Sequence, residues 1–140
     1  MKLKVVGDGP ELTNLKAMAG DKIEFLQKLP DQQLKNIIAQ SKAVIISAEE
    51  DFGLVSLEAQ ALGRPVIALG KGGSLESVIA GKTGLFFESA TVGSLVETLN
   101  KFEKMKFSAS VCQANAKKFS KAAFKQKMLR LINQSIAVYN

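Results

Sequence analysis

Three consecutive acidic residues follow a short apolar run and precede a segment of helical character. Residues 47–62 read SAEEDFGLVSLEAQAL, in which Glu50 and Glu58 are separated by seven residues. Acidic side chains before a helix can simply complement the positive end of its dipole. This structural role explains Glu49 and Asp51 as well as a role in a binding site does. Glu58 differs because it lies among apolar residues, on a helix that we expect to be largely buried.

A buried Glu58 would need partners, because removing an unpaired carboxylate from water is costly. No basic residue lies three or four positions away from it. A carboxylate can accept hydrogen bonds from two neighbouring hydroxyls, so a ribose or a sugar would satisfy it. The free amide groups of Gly53, Leu54 and Val55, at the start of the same helix, suit a phosphate. Acceptors for hydroxyls beside donors for phosphate predict a nucleotide-sugar site.

Three further loops follow predicted strands, where open parallel sheets bind their ligands. Gly7 and Gly9 form a turn that lets a ligand approach the backbone closely, although a plain tight turn explains them as well. Lys71 lies in LGKGGS, which either cradles a phosphate or is only a glycine-rich turn, and which lacks the P-loop spacing. Lys28 and Leu29 follow the second predicted strand and could face a nucleobase.

Short apolar runs alternate with longer amphipathic segments, and these predict the elements that position the candidates. We predict strands at 3–6, 23–26, 43–47, 66–69 and 85–87, and helices at 10–19, 31–40, 54–62, 74–80, 92–104, 108–118 and 119–138. Continuous apolar strands are typical of a sheet that is covered on both faces. The alternation of strand and helix predicts an α/β fold, a Rossmann-like open parallel sheet flanked by helices. The last helix carries a long apolar stripe, from which we expect Phe124 and Tyr139 to face the core.

The charge of the chain is unevenly distributed. The 140 residues carry a net charge of +6, with −2 in residues 1–100 and +8 in residues 101–140. A basic block of this kind suits nucleic acid or an anionic membrane, but a solvated helix face explains it more simply. We therefore predict no nucleic-acid partner and retain peripheral membrane contact through residues 101–130 as an open alternative.

Several classes of protein are excluded or disfavoured by composition. The sequence contains no histidine, which excludes a Ser-His-Asp or Cys-His centre in this chain. The single Cys112 excludes an internal disulfide and a cysteine-rich zinc site, so we interpret it as a buried thiol. The chain begins without the apolar stretch of a signal peptide, and we expect a cytoplasmic protein, with membrane association at the cytoplasmic face as an extension.

The order of these motifs resembles the donor-binding half of the retaining glycosyltransferases of family 4, whose GT-B fold has two Rossmann-like domains. The resemblance rests on VVGDGPEL, FLQKLPDQQL and SAEEDFGLVSLEAQALGRPVIALGKGGSLESVIAGKTGLFF, in that order. It covers residues 3 to about 90 and continues more weakly to the end of the chain. The EEDFG, EAQA and GKGG motifs are most similar to those of bacterial and archaeal mannosyltransferases of surface-polysaccharide assembly.

The resemblance implies a role for each candidate residue. Glu50 would be catalytic, close to the anomeric centre of the donor sugar, and Glu58 would hold the ribose hydroxyls. Backbone amides of the segment 52–55 would contact the sugar and the diphosphate. The implied donor-binding residues are Phe52, Gly53, Leu54, Val55 and Glu58, with Gly7 and Gly9 at the domain cleft, Lys28 and Leu29 at the base, and Lys71 adding positive charge.

The implied activity is the transfer of a hexose from a UDP- or GDP-sugar to an acceptor hydroxyl in glycan or glycolipid synthesis, without a metal or other cofactor. Residues 1–140 would form the donor-binding domain. The family's preceding strand, whose Arg and Lys clamp the diphosphate, has no counterpart here, and neither has the N-terminal domain that binds a glycan or lipid-linked acceptor. We therefore expect the chain alone to be inactive. The alternative is a non-catalytic Rossmann-like module for nucleotide binding or assembly.

Overall fold

A computed structural model describes residues 1–138, in which parallel strands alternate with helices as predicted. Tyr139 lies outside the described residues. The elements are β1 (Leu3–Val6), α1 (Leu12–Met18), β2 (Ile23–Leu26), α2 (Asp31–Gln40), β3 (Val44–Ile46), α3 (Leu54–Ala61), β4 (Val66–Leu69), α4 (Ser74–Ser77), β5 (Gly84–Phe87), α5 (Val92–Glu103), α6 (Ala109–Lys117) and α7 (Lys121–Val138).

The chain divides into two compact units, and the first, residues 1–37, holds a two-stranded parallel sheet. β1 pairs with β2 so that Leu3 lies opposite Ile23, and Lys4 lies opposite Glu24. The latter two side chains form an exposed ion pair at 3.3 Å. Leu3 is 41% exposed and Ile23 is 36% exposed. The expectation that every strand is covered on both faces is therefore wrong for this sheet.

The second unit begins at Ile38 and contains the parallel sheet β3-β4-β5. All four residues of the central strand β4 are buried, which confirms the expectation of a doubly covered strand here. The core joins this sheet to α5 through Ile67, Leu69, Phe87 and Phe102. Phe102 also stacks on Phe107, with ring centroids 5.2 Å apart. The predicted single sheet is thus divided into two hydrogen-bonded sheets.

Helix α3 is held against its neighbours by a buried polar network. The Gln60 side chain is fully buried, and its Nε2 donates to the Ser77 carbonyl at 2.8 Å. Asn115 of α6 donates from Nδ2 to Gln60 Oε1 at 2.8 Å and to the Ser77 carbonyl at 2.9 Å. Because buried amides are stable only when they are hydrogen-bonded, this network fixes the orientation of α3 relative to α4 and α6.

Helix α7 is exposed on all sides from residue 124 to residue 136. Every described side chain from Phe124 to Ile136 is exposed, and Phe124 itself is 62% exposed. The expectation that Phe124 faces the core is therefore wrong. The core around Ile67 and Phe102 is completed by side chains of the sheet and α5 and by Phe107, and no residue of α7 belongs to it. No helix within residues 1–138 has both the length and the apolar character needed to cross a membrane.

Candidate functional site

Two loops follow neighbouring parallel strands and pack against each other. Loop A (residues 47–53) follows β3, and loop B (residues 70–73) follows β4. The Gly73 amide donates to the Glu50 carbonyl at 2.6 Å. A Cβ at Gly73 would lie 2.5 Å from the carbonyl carbon of Phe52, so only glycine permits this approach. The packing of the two loops is sufficient to explain why residue 73 is a glycine. The same packing fixes the backbone of loop A.

Loop A ends at Gly53, where α3 begins. Gly53 has φ +75°, a left-handed conformation that favours glycine, and a Cβ there would lie 3.0 Å from Ser77 Oγ. No side chain caps the helix, and the amide of Leu57 donates to the Gly53 carbonyl at 3.3 Å. The amides of Leu54 and Val55 precede this bond in the first turn and have no intrahelical acceptor. They are available to an anion.

Loop A and the first turn of α3 surround a cavity of about 230 Å³, lined by Glu50, Phe52, Gly53, Leu54 and Val55. The structure therefore brings together five of the predicted site residues. Glu50 is half-buried, whereas Phe52 and Leu54 are 55% and 63% exposed. The cavity thus combines a carboxylate, helix-end amides and accessible apolar side chains, which can contact hydroxyls, a phosphate and a ring face respectively.

Glu58 is exposed, and the expectation that it is buried is wrong. It lies one turn after Leu54 on the exposed side of α3, whereas Ser56, Ala59 and Gln60 form the buried side. It makes no ion pair with any residue in the described part of the chain. Glu58 is therefore not a desolvated carboxylate that requires a partner. Its carboxylate is accessible to a ligand but does not line the cavity.

Lys71 lies in loop B with an exposed side chain. Its amide donates to the Leu69 carbonyl at 2.7 Å, which forms a tight turn directly after β4. Within residues 1–138, no carboxylate lies within ion-pair distance of the Lys71 ammonium group. Loop B packs on loop A, but Lys71 itself does not line the cavity.

The other predicted site residues belong to the first unit. Gly7 has φ +139°, and its amide donates to the Leu26 carbonyl at 2.9 Å. Gly9 is also exposed, and a Cβ at either glycine would meet open space. Lys28 is exposed and Leu29 half-buried, directly after β2. Since β1 and β2 are parallel, these two turns lie at the same edge of the two-stranded sheet, as expected.

Sequence reasoning missed the residues that position α3. The network of Gln60, Ser77 and Asn115 holds the side of the helix opposite Glu58. The hydroxyls of Ser56 and Ser77 are also buried there, without a hydrogen-bond partner among the described residues. The signal for this face was the amide side chain of Gln60 within the apolar segment LVSLEAQAL, which must find a partner once it is buried.

A larger cavity, of about 530 Å³, lies at the opposite end of β3 and β4. Its lining includes Lys42, Arg64, Phe102, Glu103 and Phe107. None of these is a predicted site residue. Open parallel sheets bind ligands beyond the carboxyl ends of their strands, so the smaller cavity is the better candidate for the functional site.

Residues 1–125 match the family model described as glycosyl transferases group 1. The D-inositol 3-phosphate glycosyltransferase of Corynebacterium glutamicum is 34% identical over 124 residues, which cover 85% of this chain and 30% of that protein. A GDP-mannose-dependent alpha-(1-6)-phosphatidylinositol monomannoside mannosyltransferase of Mycolicibacterium smegmatis is 32% identical over 106 residues, which cover 66% of this chain and 28% of that protein. The chain therefore spans less than a third of the length of these curated relatives.

Solved structures show the same fold. A lipopolysaccharide outer core galactosyltransferase in its apo form superposes with a TM-score of 0.83 at 17% identity, over 96% of this chain and 41% of that one. The Anabaena protein HepE, in complex with UDP-glucose, gives a TM-score of 0.71 at 23% identity, over 95% of this chain and 41% of that one. These likenesses confirm the α/β architecture that the sequence predicts.

Proposed function

This chain belongs to the group 1 glycosyl transferases, and we propose that it is the donor-binding domain of a retaining enzyme of family 4. The whole enzyme would transfer a hexose from a UDP- or GDP-sugar to an acceptor hydroxyl in glycan or glycolipid synthesis. The observation that carries this proposal is the cavity at the start of α3, where Glu50 and the uncapped helix end meet.

The cavity is suited to one part of a nucleotide sugar. Its volume of about 230 Å³ is less than a complete ligand of this size normally fills, so the remainder would extend over the exposed side of α3. In this arrangement the amides of Leu54 and Val55 contact the diphosphate, and Glu50 contacts sugar hydroxyls beside the anomeric carbon. Glu58, one turn along the exposed face, accepts hydrogen bonds from the ribose hydroxyls.

The proposed chemistry depends on stabilisation of the leaving group. When the bond between the anomeric carbon and the diphosphate oxygen breaks, negative charge develops on the diphosphate. Preorganised amides at a helix N-terminus stabilise such charge without reorganisation. Lys71 supplies positive charge from loop B. We propose no metal and no cofactor besides the donor substrate for this step.

The remaining assignments follow the family resemblance. Lys28 and Leu29 would face the base, and Gly7 and Gly9 would line the domain cleft. The names of two relatives indicate acceptors with phosphorylated inositol groups, one a D-inositol 3-phosphate and one a phosphatidylinositol mannoside. For this chain we propose a glycan or lipid-linked acceptor, bound by another part of the whole enzyme at the cytoplasmic face, with peripheral membrane contact through residues 101–130.

The test is titration of the chain with UDP and GDP, monitored by amide NMR spectra. We expect shifts at 50–58 and at 71, and we expect Glu58→Ala to weaken nucleotide binding about tenfold, since hydrogen bonds to a charged group are lost. Glu50→Ala should retain nucleotide binding but lower turnover in the whole enzyme. Glu103→Ala is the matched control, because this exposed glutamate lies at the other end of the sheet.

Unchanged nucleotide affinity and turnover in both variants would refute this site. Nucleotide binding by the whole protein without any transfer to acceptor would instead support the alternative, a non-catalytic nucleotide-binding or assembly module. The two outcomes are separated by measuring binding and turnover on the same preparation of protein.

A further inference from the structure

The larger cavity lies within the second unit, at the amino ends of β3 and β4, and has a volume of about 530 Å³. Pockets that hold small molecules have volumes of about 300–1,000 Å³. Two basic residues line this cavity, Lys42 shortly before β3 and Arg64 shortly before β4. None of its lining residues belongs to the proposed donor site, so a ligand here would be a second one.

The two basic side chains of the larger cavity have no counter-ion within residues 1–138. Lys42 is exposed and Arg64 is half-buried, while the exposed Glu103 on the same lining pairs with neither. Arg64 Nε is buried and has no hydrogen-bond partner among the described residues. Because a buried N–H of a charged group is costly without an acceptor, Arg64 favours an anion in this cavity.

The start of α6 adds backbone donors to the same lining. Ala109, the first residue of α6, lines the cavity, and the side chain of the N-cap residue Ser108 does not cap the helix. The amide of Cys112 donates to the Ser108 carbonyl at 3.1 Å. The three amides before it in the first turn have no intrahelical acceptor, and they suit an anion as well.

Close packing holds Arg64 beside the start of α6. Gly63 has φ +76°, and a Cβ there would lie 2.9 Å from the Cβ of Ala109. Arg64 follows Gly63 directly, and its amide donates to the Ala59 carbonyl at 2.9 Å. The backbone of both donor groups is therefore fixed before a ligand arrives, and preorganisation of this kind favours binding.

The rest of the lining includes apolar side chains. Phe107 is half-buried and stacks on Phe102, with ring centroids 5.2 Å apart, and Met105 is 39% exposed. A ring or carbon skeleton attached to the anion can cover this apolar surface, whereas an inorganic anion would leave it in water.

We propose that the larger cavity binds a phosphomonoester of a small organic molecule. The phosphate accepts hydrogen bonds from the Arg64 guanidinium group and from the amides at the start of α6, Lys42 adds positive charge, and the organic part contacts Phe107. A phosphate has three acceptor oxygens and nearly two negative charges, which match two cations and a helix N-terminus. The site is separate from the donor cavity and does not depend on the proposed function.

The first experiment titrates the whole chain with phenyl phosphate, inorganic phosphate and phenol, monitored by amide NMR spectra. With phenyl phosphate we expect saturable shifts at 42, 63–65 and 108–112, which weaken with added salt. Inorganic phosphate should bind at least about threefold more weakly, because it covers no apolar surface. Phenol should give no saturable shift there. The titration is repeated in the presence of UDP, which reports the donor site separately at residues 50–58.

Two variants remove the proposed contacts in different ways. Arg64→Gln should lower the affinity for phenyl phosphate at least about tenfold, because a charge-assisted hydrogen bond is lost. Ala109→Glu places a carboxylate in the first turn of α6, where it complements the helix dipole but repels the phosphate. This variant should remain as stable as the unmodified chain in urea, yet lose at least about tenfold in affinity.

Two exposed lysines provide a mild variant and a matched control. Lys42→Gln leaves the interior untouched and should lower the affinity about threefold, since an exposed cation contributes little. Lys82 lies directly before β5, on the same edge of the sheet, but outside the lining of the larger cavity. Lys82→Gln should therefore bind phenyl phosphate as the unmodified chain does.

Four results would overturn the proposal. The first is the absence of saturable shifts at 42, 63–65 and 108–112. The second is binding that neither Arg64→Gln nor Ala109→Glu weakens, or that Lys82→Gln weakens equally, which would mean adsorption to surface lysines. The third is displacement of phenyl phosphate by UDP, which would assign the phosphate to the donor cavity. The fourth is equal affinity for inorganic phosphate, which would make free phosphate the ligand.

Discussion

Replacing Gly73 by alanine tests whether the packing of the two loops builds the cavity. Gly73 has φ −61°, a conformation open to any residue, so the backbone itself imposes no strain on alanine. The added methyl group would lie 2.5 Å from the carbonyl carbon of Phe52 and 2.7 Å from the carbonyl oxygen of Asp51. Both are backbone atoms, and loop A must therefore move away from loop B.

The magnitude follows from two losses. Overpacking against a backbone costs about 1–3 kcal/mol, and displacement of loop A breaks the 2.6 Å bond from the Gly73 amide to the Glu50 carbonyl, which costs about 1 kcal/mol more. We expect Gly73→Ala to lower the free energy of unfolding by about 2–4 kcal/mol, which moves the urea midpoint by roughly 1–2 M. Binding of UDP or GDP should weaken in parallel, because loop A leads directly into the amides at the start of α3 that would contact the diphosphate.

Gly93→Ala is the matched control. A Cβ at Gly93, in the first turn of α5, meets nothing within 4 Å. Alanine there should be neutral or should stabilise the chain by up to about 1 kcal/mol through helix propensity. If Gly73→Ala unfolds at the same urea concentration as the unmodified chain and binds nucleotide equally well, the two loops do not constrain each other as described.

Two further predictions concern the interior of the second unit. Asn115→Ala should lower the free energy of unfolding by about 1–3 kcal/mol, because the buried Gln60 Oε1 loses its donor and the Ser77 carbonyl keeps only the bond from Gln60 Nε2. In urea titrations the exposed Asn133→Ala should change the free energy of unfolding by less than about 0.5 kcal/mol, and equal effects would contradict the role of the network. Burial raises the pKa of the Cys112 thiol above its ordinary 9.0, so the folded state holds the thiol proton more tightly than the unfolded state does. The contribution of Cys112 to the free energy of unfolding is therefore complete below pH 9 and declines as the pH rises further. Cys112→Ala should therefore lose less stability than the unmodified chain between neutral pH and about pH 10, and identical losses would contradict the assignment.

The elements of the second unit could be predicted closely because they have strong local signals. β4 is a continuous apolar run and is buried along its whole length. α3 ends just before Gly63, which has φ +76° and stands where a helix C-terminus favours glycine. The cavity could be predicted because strand ends and helix starts fix the backbone of residues 50–55, whichever direction the side chains take.

The burial of α3 could not be predicted in the same way. Both Glu58 and Gln60 are polar residues in an apolar segment, and they differ by two positions, about 200° around the helix. Which of them faces inward depends on the packing of α6, and Asn115 of α6 is 55 residues away from Gln60 in sequence. A buried polar side chain does need hydrogen-bond partners, and in α3 that side chain is Gln60.

The surroundings of α7 could not be predicted from the sequence either. Its apolar stripe predicts that something covers Phe124, but a stripe does not specify whether the cover is the protein's own core or another surface. Within the described residues the core cluster includes side chains of α5 but none of α7, and the stripe of α7 is exposed. Periodicity therefore predicts an amphipathic helix reliably and its partner only together with tertiary structure.

The bond between Asn115 and Gln60 also sets a boundary for shortening the chain. A polypeptide ending soon after α5 would retain every strand of β3-β4-β5, yet it would uncover the inner side of α3 and leave the buried Gln60 Oε1 without its donor. Removal of residues 124–136, in contrast, would take away side chains that are already in water. We therefore expect a shortened second unit to require α6, although the sheet itself is complete thirty residues earlier, at Phe87.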